Sequence, residues 1–173
     1  MGYTHYWYRP EIIDRGRFHR IVADFSRIMP RLAEIGVKLA GGNGYGEPKV
    51  DDELVLFNGA ADCGHTPDYE VVIPWPADNA GGIAPSSKSK AGTWFAGTLL
   101  EHRCCNGDCS YESFYFPRVY RSMEWEEPDA NGLYFGFCKT AFRPYDLAVT
   151  AFLVIAKHHL GKRLIVSSDG EQQ

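Results

Sequence analysis

Between Leu147 and Ala156 the chain reads Leu-Ala-Val-Thr-Ala-Phe-Leu-Val-Ile-Ala, with Thr150 its one polar residue. A helix with no polar stripe has to be packed on most sides, so this segment predicts a central helix that the rest of the chain covers. Its limits are written in the flanking residues. Pro144 suits a first turn, where its missing N–H costs nothing, and Asp146 sets a carboxylate near the positive end of the helix dipole. Lys157, His158 and His159 fall in the last turn, and Gly161 can take the left-handed cap. The helix is expected over Pro144 to Leu160, with Val149, Phe152, Leu153 and Ala156 in the core. At ~1.5 Å per residue it is roughly 25 Å long and charged at its end, which does not suit a membrane span.

A second helix follows from the spacing of Phe18, Ile21, Val22, Phe25, Ile28, Met29 and Leu32, an amphipathic stripe on which Pro30 predicts a kink. The remaining apolar runs are short and rich in Tyr and Phe, as strands are. They are Tyr3 to Tyr8, Leu54 to Phe57, Tyr69 to Ile73, Trp94 to Leu100, Tyr111 to Phe116, Tyr120 to Trp125, Leu133 to Cys138 and Leu164 to Ser168. Asn106-Gly107 and Asn131-Gly132 are favoured turn dipeptides, which predicts two hairpins, 94–100 with 111–116 and 120–125 with 133–138. Strands arriving in runs between two helices predict an α+β fold, a mainly antiparallel sheet packed against two principal helices. The chain, 173 residues long, is expected to form one domain, with a flexible loop at about 76–92 where there is little to bury. Gly41 to Pro48 is glycine-rich, but a helix precedes it and a strand follows, the reverse of a dinucleotide-binding loop, so it reads as a turn.

A net charge of -4 does not suit general nucleic-acid binding or attachment to an anionic membrane. The start of the chain lacks the basic flank and apolar run of a signal peptide, so a cytoplasmic location is expected. Self-association is left open.

Several phrases at separated points, Met1-Gly2-Tyr3-Thr4-His5-Tyr6-Trp7, Phe57-Asn58-Gly59, Phe137-Cys138-Lys139-Thr140-Ala141 with Pro144-Tyr145-Asp146, and Ser168-Asp169-Gly170, have a familiar wording. It resembles that of a family of small uncharacterised bacteriophage and prophage proteins. The resemblance implies an accessory role in the cytoplasm of a host cell and brings no catalytic residues with it.

The residues themselves offer two constellations. Lys139 and Arg143 precede a helix whose first N–H groups lack intrahelical partners, a pattern that holds phosphates and carboxylates. With Tyr145, Asp146 and His5 they make a candidate site for a small anionic, nucleotide-like ligand; a local reading instead has Asp146 pair with Arg143 or Lys139. The expected function is a binding module for such a ligand or for a host protein. The alternatives are a hydrolase or transferase in the same pocket, with Glu112, His5 or Asp169 as acid or base, and a small zinc-stabilised structural protein. Five cysteines, an odd number, do not read as a disulfide framework. His102, Cys104, Cys105 and Cys109 are the best candidate metal ligands, with Cys63 and His65 in another loop. Neither group has the common paired spacing, so no metal or other cofactor is expected and the cysteines read as thiols. Cys138 beside Lys139 is a weaker candidate for a reactive thiol paired with His5.

Overall fold

The computed structural model describes residues 3–72, 93–94, 98–99 and 102–169. The expected loop at 76–92 and most of the 94–100 strand lie outside them. The element order is β1 (Thr4–Pro10), α1 (Arg15–Glu34), β2 (Leu39–Ala40), β3 (Lys49–Val50), β4 (Leu54–Gly59), β5 (Glu70–Val72), β6 (Thr93–Trp94), β7 (Thr98–Leu99), β8 (His102–Cys104), β9 (Phe114–Pro117), β10 (Leu133–Lys139), α2 (Asp146–Leu160) and β11 (Ile165–Ser168). Among the described residues every strand pairing is antiparallel and two long helices pack against each other, so the fold is α+β as expected. Among the described residues no helix is long and apolar enough to cross a membrane.

The central helix is α2. It begins at Asp146, two residues after the expected Pro144, and Ala148, Val149, Phe152, Leu153 and Ala156 are all buried. Phe152 lies edge-on to Phe25 of α1 and to Phe114 and Phe116 of β9, with ring centroids 5.0 to 5.3 Å apart. Such pairs add to the burial of the rings themselves. His159, expected only to complement the helix dipole, also reaches Asp24 of α1 at 2.7 Å.

Helix α1 is capped by Asp14, which accepts from the Arg17 N–H at 3.0 Å. It continues as one helix through Pro30 to Glu34. Pro30 and Ser26 both face solvent, so water can satisfy the Ser26 carbonyl that loses its donor.

Two sheets frame the core. The first has the order β10-β1-β11, with His5 opposite both Cys138 and Ser168. His5, Trp7 and Arg9 point inward, while Tyr8, Phe135 and Phe137 are exposed on the other face. In the second sheet β4 pairs with β2, β3 and β9. Both expected hairpins are therefore replaced. The strand at Phe114–Pro117 pairs with β4, Leu133–Lys139 pairs with β1, and 120–125 forms no strand. Both of these pairings join segments far apart in the chain, which turn dipeptides cannot report.

Arg9 links the two sheets. Its guanidinium is buried over the Phe116 ring and donates to the backbone carbonyls of Pro10, Pro117 and Arg118. Burial lowers its pKa to about 10, which still leaves it charged at neutral pH.

Candidate metal centre

The end of β4 sets out the first half of the site. Asn58 is fully buried and works as a clamp. Its Oδ1 accepts the Tyr111 N–H at 3.0 Å, and its Nδ2 donates to the Tyr111 carbonyl at 3.0 Å. Next to it the Cys109 N–H donates to the Ala60 carbonyl at 3.1 Å. Gly59 permits this approach, because a Cβ there would lie 1.8 Å from the Cys109 carbonyl oxygen. The chain then continues through Cys63, Gly64 and His65. Lys38 donates to the Cys63 carbonyl at 2.5 Å, and the His65 ring stacks on Tyr69 with centroids 3.9 Å apart.

The second half is the segment from Cys105 to Cys109. Asn106 and Gly107 both adopt left-handed backbone, at φ 50° and 85°, and the Asp108 N–H closes the turn on the Cys105 carbonyl. The Asn-Gly pair does make a turn, but one that brings two cysteines together rather than joining two strands. Arg143 braces it from outside, donating to the carbonyls of Cys105 and Asp108.

Together the two segments place Cys63 Sγ, His65, Cys105 Sγ and Cys109 Sγ so that one ligand atom from each lies within 4.8 Å of all the others. All three cysteines are buried, and none is in a disulfide. Cys63 Sγ is 3.9 Å from Cys105 Sγ, and His65 Nδ1 is 3.5 Å from Cys105 Sγ and 3.3 Å from Cys109 Sγ. Zinc–sulfur bonds of ~2.3 Å and a zinc–nitrogen bond of ~2.0–2.1 Å at tetrahedral angles require sulfurs ~3.8 Å apart and sulfur–nitrogen separations of ~3.6 Å. These three separations match a tetrahedral ion within a few tenths of an ångström, and the others, all under 4.8 Å, close on it with shifts of about 1 Å or less.

Two of the four ligands are held toward the form that a metal binds, and one is not. Burial pushes the Cys63 thiol up, but hydrogen bonds from the His65 backbone N–H, from the Cys109 and Cys105 thiols and from the Cys109 N–H outweigh it, so the thiol lies below its ordinary value. Cys109 is held far above the ordinary range, by burial first and then by its two sulfur neighbours. Burial and the nearby Lys38 lower the pKa of His65, which favours the neutral ring that a metal needs. Three sulfurs and a nitrogen, enough to fill the four positions of a tetrahedral ion, are the donor set of a structural zinc site.

The group brought together differs from the set read from spacing. Cys104 is exposed and belongs to β8, while Cys63 and His65 complete the set with Cys105 and Cys109. The signal available in sequence was Cys-Gly-His in one loop and Cys-x-x-x-Cys in another, each with a glycine inside. Their approach depends on β4 and could not be read from the spacing.

The residues expected to hold an anion go to other partners. Arg143 meets the cysteine loop rather than Asp146, and Lys139 Nζ lies 5.7 Å from the centre of the Tyr111 ring. Tyr145 is buried, its hydroxyl on the Glu112 carbonyl at 2.7 Å. Asp146 is fully buried at the start of α2. It accepts from His5 Nε2 at 2.8 Å, from Arg103 Nε at 2.7 Å and from the Thr140 hydroxyl at 2.5 Å. Arg103, between His102 and Cys104, and Thr140, between Lys139 and Ala141, were not singled out because nothing local says that either side chain turns onto a buried carboxylate. Of the candidate acids and bases, Glu112 accepts the Lys139 backbone N–H and Asp169 accepts the Thr4 N–H and the Tyr6 hydroxyl. Cys138 is buried and its thiol is pushed up to about 12, chiefly by burial, so it is an inert core residue.

No family model, curated protein or solved structure matches the chain.

Proposed function

We propose that this chain is a zinc-stabilised protein in which Cys63, His65, Cys105 and Cys109 bind one Zn²⁺ as a closed structural centre. The observation that carries the reading is the mutual approach of four ligand atoms, from two segments about 40 residues apart in the chain, to within the span of one tetrahedral ion. Sulfur atoms that merely fill a core need no histidine nitrogen among them, and no small turn aimed at the same point.

The metal's role follows from what surrounds it. Arg103 lies two residues before Cys105, and its Nε is on Asp146; Arg143 lies just before α2 and holds the cysteine loop. Fixing Cys105 and Cys109 to Cys63 and His65 therefore also fixes the loop that covers the start of the central helix. With all four positions filled by protein, the ion has no place for substrate or activated water, so it acts as a cross-link rather than a Lewis acid.

Native mass spectrometry of the protein, expressed in zinc-supplemented medium and purified without chelator, tests the reading. One zinc per chain is expected, and none in a Cys63→Ser/Cys109→Ser variant. A metal-free native chain, or zinc that survives the double substitution, rejects the reading.

A further inference from the structure

Three stretches far apart in the sequence, the first strand, the segment before α2 and the end of β11, meet in a buried polar cluster that the metal centre does not use. Its members are His5, Thr140, Asp146 and Ser168, with Arg103 from β8. His5 and Asp146 are almost completely buried; Ser168 is only partly covered.

The hydrogen bonds have a definite direction. Burial raises the pKa of Asp146, but the His5 hydrogen bond, the Arg103 charge and the Thr140 hydroxyl lower it more, so Asp146 is ionised and can only accept. His5 Nε2 must then carry a proton and donate it. In the neutral ring this leaves the Nδ1 lone pair facing the Ser168 hydroxyl at 2.8 Å, so Ser168 donates to it. A serine hydroxyl on an imidazole that is oriented by a buried carboxylate is the arrangement that activates serine nucleophiles, recognised by geometry rather than by chain order. Here the two ring nitrogens exchange their usual places, which leaves the proton path intact.

We propose that Ser168 is a nucleophile toward esters and other activated acyl or phosphonyl groups, with His5 as its general base and Asp146, Arg103 and Thr140 as positioning residues. The serine is the member of the group that stands where a substrate can arrive. Among the described residues β11 pairs only with β1, so its other edge offers backbone N–H donors to a developing oxyanion. Beside the cluster, Ala141 and Phe142 both hold left-handed backbone, a strain that collects at working sites.

In the reaction Ser168 Oγ bonds to the acyl carbon while its proton passes to His5 Nδ1. The ester C–O bond breaks, and the departing alkoxide takes the proton from His5 and leaves as the alcohol. Water then attacks the acyl-serine and gives its proton to Nδ1; Ser168 leaves, recovers that proton, and the carboxylic acid is released. The net change is ester plus water to acid plus alcohol.

The test is labelling of the zinc-loaded chain by a fluorophosphonate probe, with the site located by peptide mass spectrometry. Fluoride is the leaving group, so the adduct is stable. We expect one adduct, on Ser168, forming at a rate that rises with pH to a plateau as a single group loses its proton. Ser168→Ala should abolish it, and Ser167→Ala, at the exposed neighbour, should leave it unchanged. Asp146→Asn should slow labelling on the order of 10²-fold or more, because the ring loses its oriented tautomer. Circular dichroism establishes that each variant is folded; the serine variants decide the question if Asp146→Asn is not. No adduct on Ser168 in the folded protein, equal labelling of Ser167, or a rate without the pH plateau would overturn the proposal. Zinc content measured on the same sample keeps this result separate from that of the metal centre.

Discussion

Taking the metal away should destabilise the fold by an amount that can be worked out from the chain it closes. Cys63 and Cys105 are 42 residues apart. Releasing a cross-link over a loop of that length returns ~13 cal/mol/K of entropy to the unfolded chain, or ~4 kcal/mol at 25 °C. For a domain of this size each kcal/mol moves the midpoint by about 2–4 °C, so the apo protein should melt ~8–16 °C below the zinc form. The assay is a pair of urea titrations and thermal melts on chelator-treated protein, before and after one equivalent of zinc is restored. Cys109→Ser should resemble the apo protein and fail to respond to zinc. A difference below ~1 kcal/mol between the zinc and apo forms would refute the cross-link argument, since the closure entropy alone exceeds it.

The other predictions concern the core, the seat of the cysteine loop and the buried carboxylate. Phe152→Ala should cost about 3–5 kcal/mol in a urea titration, because the three surrounding rings cannot close the cavity; a loss below ~1 kcal/mol would place α2 at the periphery. Gly59→Ala should abolish stoichiometric zinc in native mass spectrometry, since its Cβ would meet the Cys109 carbonyl oxygen at 1.8 Å; full zinc occupancy would show that the loop can seat elsewhere. Asp146 has a lower pKa folded than unfolded, where the ordinary value is 3.8, so its stabilisation is complete above about pH 4 and is lost as pH falls through the folded value. Asp146→Asn should therefore flatten the acid limb of stability against pH below about 4; an unchanged limb would mean that other carboxylates set it.

The fold was legible where local pattern and tertiary demand agree. In the run from Leu147 to Ala156, the residues Ala148, Val149, Phe152, Leu153 and Ala156 are buried, but Thr150 and Val154 are exposed and Leu147, Ala151 and Ile155 half-buried, so α2 keeps a solvent-facing side that its apolar composition does not announce. The stripe from Phe18 to Leu32 fixed α1, although Pro30 counted for less than a free peptide would suggest because the lost hydrogen bond faces water. Pairing was not legible. Phe114–Pro117 and Leu133–Lys139 were recognisable as strands, but their partners β4 and β1 are chosen by the core that Trp7, Phe57 and Phe116 share. The site was lost for the same reason. Cys105 and Cys109 stood out in sequence, yet their histidine lies some 40 residues earlier, and the connection runs through the Asn58 clamp and Gly59. Asp146 was recognised as a helix-start carboxylate, but nothing local says that it is buried against Arg103 and His5.

Zinc K-edge X-ray absorption on the purified protein reads the composition of the metal centre directly. One zinc per chain is expected, with three sulfur neighbours at ~2.3 Å and one nitrogen at ~2.0–2.1 Å. A shell rich in nitrogen and oxygen, a zinc bound by two sulfurs with water, or no zinc at all would contradict it.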